Sequence, residues 1–156
     1  LSHVATSKDG LHWSALRPAS PCGDASSLFY DPFRKKWVFS LRNEIGPWGR
    51  GGSRIRSYRE TDDFLSGLQW HFELGRSTED VVLWLQPDAL EPRDPALKLL
   101  PQLYDVAAVA YESLMVGGFT VWKGPENGEI TQTGMPKVTD ICFATLPNTT
   151  QLKRAC

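Results

Sequence analysis

Short apolar runs that alternate with polar residues, turn residues spaced between them, and an internal repeat together predict an all-β chain. The alternation is clearest in "KKWVFSLR", where Trp37, Phe39 and Leu41 oppose Lys36, Val38, Ser40 and Arg42 with the period of two that marks a strand. The repeat emerges when "GDASSLFYDPFRKKWVFSLRN" (23–43) is laid without a gap over "YDVAAVAYESLMVGGFTVWKG" (104–124). Asp24 then falls on Asp105, Tyr30 on Tyr111, Asp31 on Glu112 and Arg42 on Lys123. An acid opens a run of small and β-branched residues, an aromatic-acid turn follows, and a second apolar run ends in a basic residue.

The elements follow in order. "HVATSKDGLHW" (3–13) reads as a strand, a polar turn with Gly10 free to take positive φ, and a Trp. "YDPFRKKW" carries Pro32 just inside a turn, so Asp31 is expected to serve ordinary turn chemistry. "RIRSYRE" is expected to be a strand whose arginines, Arg54, Arg56 and Arg59, line a solvent face or a cleft. "IRSYRETDDFLSGLQW" (55–70), and more weakly "DICFATLPNTTQLKR" (140–154), repeat the strand–turn pattern of 3–13. Asp24 precedes Asp62 by 38 residues and Asp105 precedes Asn148 by 43, so the two repeating elements keep a similar offset. Trp13 and Trp70 are expected to pack between repeats. "DPALKLLPQL" (94–103) has one turn of helical spacing, but Pro95 and Pro101 bracket it, which makes it a connector. No strong helix is expected.

A repeat of four-strand size with small residues ("ASS", "VAAVA") after each leading acid suits a partial β-propeller, in which inner strands crowd round an axis. An ordinary β-sandwich is the alternative. The expected division is the end of one blade over 1–21, a full blade over 22–84, a connector over 85–102 and an incomplete blade over 103–156. Two blades do not close a propeller, so the remaining blades of a parent chain are the expected partners. Alone, the segment is expected to be inactive and to associate through its open edges.

Composition excludes little beyond this. Seventeen Lys and Arg balance eighteen Asp and Glu, which gives no electrostatic case for nucleic acid or an anionic membrane. No apolar run approaches the roughly 20 residues that cross a bilayer. Cys22, Cys142 and Cys156, with His3, His12 and His71, show no metal-ligand spacing, so no metal or other cofactor is expected. Asn148-Thr149-Thr150 matches a glycosylation sequon.

The leading acids and their blade pattern resemble the five-bladed propeller glycoside hydrolases of the invertase and levanase family (family 32) and of family 43. Asp24, followed by Phe29, Tyr30 and "KKWVF", matches the layout of the family's transition-state-stabilising Asp, although Cys22-Gly23 and Ala25 replace its Arg-Asp-Pro surroundings. Asp105 stands where the family places its acid, a Glu in a Glu-Cys pair. The nucleophile motif is absent, and the literal Arg93-Asp94-Pro95 sits in the connector with no strand after it. The resemblance implies a carbohydrate substrate, a secreted or periplasmic setting, Asp24 and Asp105 as catalytic carboxylates, and Glu112 as a further possibility. Arg42 and Trp48 are the candidate substrate-binding residues. Two rivals stay open. "SKDGLHW" (7–13) is one residue short of a sialidase Asp-box and lacks its Thr, and a non-catalytic propeller would use both acids structurally.

Overall fold

The structure, a computed structural model, describes residues 2–46, 52–88, 91–97 and 99–147. It is mostly β, in three antiparallel sheets of two, four and three strands. β1 (Ser2–Val4) pairs with β2 (Arg17–Ala19). β3 (Ser27–Asp31), β4 (Lys36–Ile45), β5 (Ser53–Thr61) and β6 (Val82–Leu85) form a four-stranded meander in chain order. β7 (Gln102–Tyr111), β8 (Leu114–Gly124) and β9 (Val138–Pro147) form a three-stranded one.

The two larger sheets pack face to face. Val38 and Tyr58 of the first sheet meet Leu103, Val106, Met115, Phe119 and Val121 of the second in one apolar cluster, with Trp84 and Leu85 beside them. β3 and β7 lie next to each other in this stack, and the Ser27 hydroxyl donates to the Val106 carbonyl. The opposite face of β4 is covered as well. Phe39 and Leu41 pack with Val81, Phe64, Trp70 and Phe72 from the segment between β5 and β6. The alternation in "KKWVFSLR" thus marks a strand with two apolar neighbours and no solvent face, since Val38, Phe39, Ser40 and Leu41 are all buried.

Several sequence expectations need correction. Arg54 and Arg56 face the second sheet, not water, and Arg56 is 0 % exposed. Arg59 sits on the other face, where it donates to the Gly67 and Gln69 carbonyls and pairs with Asp80 at 3.1 Å. Trp13 is 63 % exposed and does not pack between sheets; its indole N–H donates to the Gly10 carbonyl within its own turn. The gapless repeat slips at the hairpins. β3 and β4 close with Asp31 opposite Lys36 around a four-residue turn, whereas β7 and β8 close with Tyr111 opposite Leu114 around only Glu112 and Ser113. A short helix, α1 (Asn127–Thr133), joins β8 to β9. Pro125 ahead of it and Gly134 in left-handed conformation (φ 70°) behind it are its signals.

Gly117 shows what the small residues of β7 and β8 are for. A Cβ there would stand 2.4 Å from the Ala107 carbonyl oxygen and 2.8 Å from the Ala108 Cα, both backbone atoms that have nowhere to go. At Gly118 the nearest atom would be 3.8 Å away. Gly117→Ala is therefore expected to cost about 1–3 kcal/mol through overpacking, and Gly118→Ala less than about 0.5 kcal/mol. Thermal melts of the two variants, read side by side, check the contrast.

Candidate functional site

The candidate site lies where the leading ends of β3 and β7 meet the arginine-bearing ends of β4 and β5. Register decides its make-up. Arg42 is paired across the sheet with Arg56, and Glu44 with Arg54, all on the face that meets the second sheet. Two neighbouring pairs thus place three arginines and one glutamate in the interface. This demands local compensation, because an unpaired buried charge costs several kcal/mol.

Each charge finds its partner. The Arg56 guanidinium donates through Nη1 to the Ala25 carbonyl at 2.9 Å and through Nη2 to the Tyr104 carbonyl. Burial pushes its pKa down to about 10, with the Asp105 charge opposing the shift. Arg54 donates to the Gln102 side-chain oxygen and lies 4.7 Å over the Trp122 ring, and burial lowers its pKa too. Arg42 bridges Asp24 on one side and Glu44 on the other. Glu44, only 6 % exposed, is a carboxylate that sequence reasoning missed. Its signal was the period of two carried on from Ser40 and Arg42, which puts residue 44 on the inner face.

The two leading acids are close but not equivalent. Asp24 sits in a turn three residues before β3, beside Ala25 at φ 55°, and its side chain is 60 % exposed. Asp105 lies inside β7, at an irregularity in its pairing with β8, where its Oδ1 accepts the Thr120 backbone N–H at 3.0 Å. Arg56 nevertheless holds the residue after Asp24 and the residue before Asp105 on one guanidinium.

The other candidates lie elsewhere. Glu112 is a turn residue at φ 52°, at the far end of β7. Seven residues of strand at about 3.4 Å each separate it from Asp105. Asp31 is fully buried and caps its turn, accepting the Phe33 and Arg34 backbone N–H groups and the Arg34 side chain. Asp94 of Arg93-Asp94-Pro95 accepts the Ala96 N–H in a local turn. Asp9 of "SKDGLHW" accepts the Leu11 and His12 N–H groups and holds its hairpin closed. Lys123 pairs with Asp140. Trp48, the sequon at Asn148 and Cys156 lie outside the described residues. Among the described residues no His, Cys, Asp and Glu cluster that could hold a metal is present, and no helix is long and apolar enough to cross a membrane.

Comparison with protein-family models, with characterised proteins and with solved structures gives no significant match to the chain.

Two outcomes follow from the charges. The shift of Arg56 amounts to a penalty of about 3 kcal/mol on its charged form, which its two carbonyl bonds, at about 1.5–3 kcal/mol each, offset. Arg56→Met removes the penalty together with both bonds and leaves the carbonyls of the exposed Ala25 and the half-buried Tyr104 without that donor. Urea unfolding is expected to show a loss of at most about 3 kcal/mol, the two bonds less the penalty. For Asp31, burial alone raises the pKa. The Arg34 backbone N–H, the Arg34 side chain and the Phe33 N–H outweigh that and hold the carboxyl below its ordinary 3.8. A depressed folded pKa stabilises the protein above the unfolded value and stops doing so as pH falls through the folded one. Asp31→Asn is therefore expected to lower stability at pH 7, and to flatten its decline below pH 3.8, as followed by far-ultraviolet circular dichroism across an acid titration.

Proposed function

We propose that the chain supplies about two blades of a five-bladed β-propeller of glycoside hydrolase type, with Asp24 and Asp105 acting on a glycosidic bond. The observation that carries this reading is the single guanidinium of Arg56 bound to the Ala25 and Tyr104 carbonyls. Two acceptors on one guanidinium lie within about 8 Å of each other, and each belongs to the backbone next to one of the acids. Glycoside cleavage needs carboxyls about 5–5.5 Å apart with retention and about 6.5–9.5 Å with inversion, and the shared guanidinium holds the backbone beside both acids in one region.

The surroundings suit different roles. Asp24, paired with Arg42 and open to solvent, steadies an oxocarbenium-like transition state. Asp105, which accepts one backbone N–H through Oδ1, is the proton donor in this reading. Glu44, bound to Arg42, keeps that guanidinium oriented toward Asp24. The propeller part of the reading is supported by two antiparallel meanders stacked with β3 and β7 side by side. It is further supported by the outer face of the three-stranded sheet. There Val109, Tyr111, Val116, Ile141 and Phe143 are exposed beside the open edge of β9, and a further sheet would dock on such a face. The remaining blades would supply the missing nucleophile or base. No cofactor enters this chemistry.

A second reading, a carbohydrate-binding propeller without catalysis, is favoured by one observation. Both acids already have partners, Arg42 for Asp24 and the Thr120 N–H for Asp105.

Kinetics on the full-length protein separates the two. Asp105→Asn is expected to lower turnover of oligosaccharides about 10²–10⁴-fold while largely sparing activated aryl glycosides, which leave without protonation. Asp24→Asn is expected to lower both alike. Saccharide binding with no hydrolysis by the unmodified protein would establish the second reading, and full activity in both variants would remove Asp24 and Asp105 from the mechanism.

A further inference from the structure

The residue that follows an asparagine sets its chemistry. Asn43 precedes Glu44, Asn148 precedes Thr149, and Asn127 precedes Gly128. The backbone nitrogen of the following residue can attack the Asn side-chain carbonyl and close a succinimide ring. Glycine leaves that nitrogen least hindered and the backbone freest to turn toward the ring geometry. The attack also needs an unbonded nitrogen, a backbone free to leave its helical shape, and water.

α1 meets these needs at Asn127. The first hydrogen bond of the helix runs from the Ile130 N–H to the Glu126 carbonyl, so the Gly128 nitrogen has no intrahelical acceptor. Asn127 and Gly128 are both exposed, and a Cβ added at Gly128 would meet nothing within 4 Å. The helix is seven residues long, buries none of them, and has no side-chain cap at Glu126. A helix that short, with no packed face, is marginal in water, and its first turn opens at little cost. The pair also lines an open cavity of about 160 Å³, room for several waters. Asn43 is the opposite case. It is 1 % exposed, donates to Ser57 and to the Glu73 carbonyl, and accepts the Glu44 and Gly75 N–H groups. Its carboxamide is held on both sides and shut away from water.

We infer that Asn127 is a self-modification site, at which the chain converts its own asparagine to aspartate and isoaspartate through Gly128. The Gly128 nitrogen bonds to the Asn127 side-chain carbon and gives up its proton, and the side-chain nitrogen leaves as ammonia. Water then opens the ring at one carbonyl to give aspartate, or at the other to give isoaspartate. The sum is asparagine plus water giving acid plus ammonia, with no other reactant. Either product adds a negative charge between Glu126 and Glu129, at the cavity that Glu44 and Arg54 also line. Isoaspartate also puts an extra carbon into the backbone, which breaks the spacing on which the Ile130-to-Glu126 bond depends. The site is thus a one-way switch that melts α1, while β8 and β9 on either side keep their pairing.

The test ages the chain in mildly alkaline buffer beside a synthetic peptide of residues 124–137, the stretch that trypsin releases between Lys123 and Lys137. Peptide mapping and an isoaspartate-specific methyltransferase read the products. Asn127 in the folded chain is expected to react within about tenfold of the peptide's rate, because α1 opens so readily, while Asn43 stays intact. Gly128→Ala strengthens the helix and adds a Cβ beside the nitrogen, and is expected to slow the reaction at least about fivefold. Isoaspartate is expected to speed amide exchange at Ile130 and Gly134 and to leave β8 and β9 protected. A rate in the chain further than that below the peptide's, an unchanged rate in Gly128→Ala, or reaction at Asn43 as fast as at Asn127 would overturn the site. Unchanged exchange at Ile130 in the isoaspartyl chain would overturn the switch.

Discussion

One buried guanidinium organises the joint between the sheets. Arg56 rises from the middle of β5 into the interface and is bonded to the carbonyl of Ala25 ahead of β3 and to that of Tyr104 in β7. Neither carbonyl belongs to Arg56's own strand. One side chain thus bonds two carbonyls from two sheets, that of the exposed Ala25 and that of the half-buried Tyr104. Burying the charge is costly, as its lowered pKa records, so the arrangement is close to neutral in stability and acts mainly on position. It fixes where β3 begins relative to β7. The positions of Asp24 and Asp105 follow from that.

The rest of the interface is arranged around this constraint. Its middle is apolar, from Val38 and Tyr58 across to Val106 and Phe119. Its far end is closed by another arginine. Arg34 donates to Asp31, Glu60 and Tyr58 together, and burial with the Glu60 bond pushes the Tyr58 hydroxyl up to about 12. Apolar packing supplies most of the attraction between the sheets and does not select a register. The Arg56 end does, because its donors and acceptors match in one alignment only, whereas the Arg34 cluster ties the β3–β4 turn to β5 within the first sheet. On the opposite face of β4, Asn43 builds a second polar set. Its side chain binds Ser57, and it accepts the backbone N–H groups of Glu44 and Gly75. The two acids stand on unequal supports, Asp105 inside β7 and Asp24 in the turn ahead of β3.

The strands were legible because their signal is local. "KKWVFSLR" alternates, "DPFRK" turns, and both features survive in the structure as β4 and the turn before it. Burial was less legible. The arginines of "RIRSYRE" read as a solvent face because nothing within the strand shows that Tyr104, Gln102 and Trp122 come from 48 or more residues away to receive them. Glu44 was missed for the same reason: its partner Arg42 is near in sequence, but its burial depends on a sheet that is distant. The repeat predicted that Asp24 and Asp105 share a region. It did not predict that one sits in a turn and the other inside a strand, because the gapless match hides hairpins of different length. Trp13 shows the reverse error, an aromatic assigned to packing that bonds within its own turn.

The central claim, that Arg56 clamps the heads of β3 and β7, is open to direct measurement on the unmodified protein. Nitrogen-15 NMR of the arginine side chains reports rotation about the Nε–Cζ bond and exchange of each guanidinium proton. Held on two carbonyls and shielded from water, Arg56 is expected to give separate, slowly exchanging signals for its two Nη groups, while the exposed Arg17 averages its own. A single averaged Nη signal for Arg56, exchanging as fast as that of Arg17, would contradict the account.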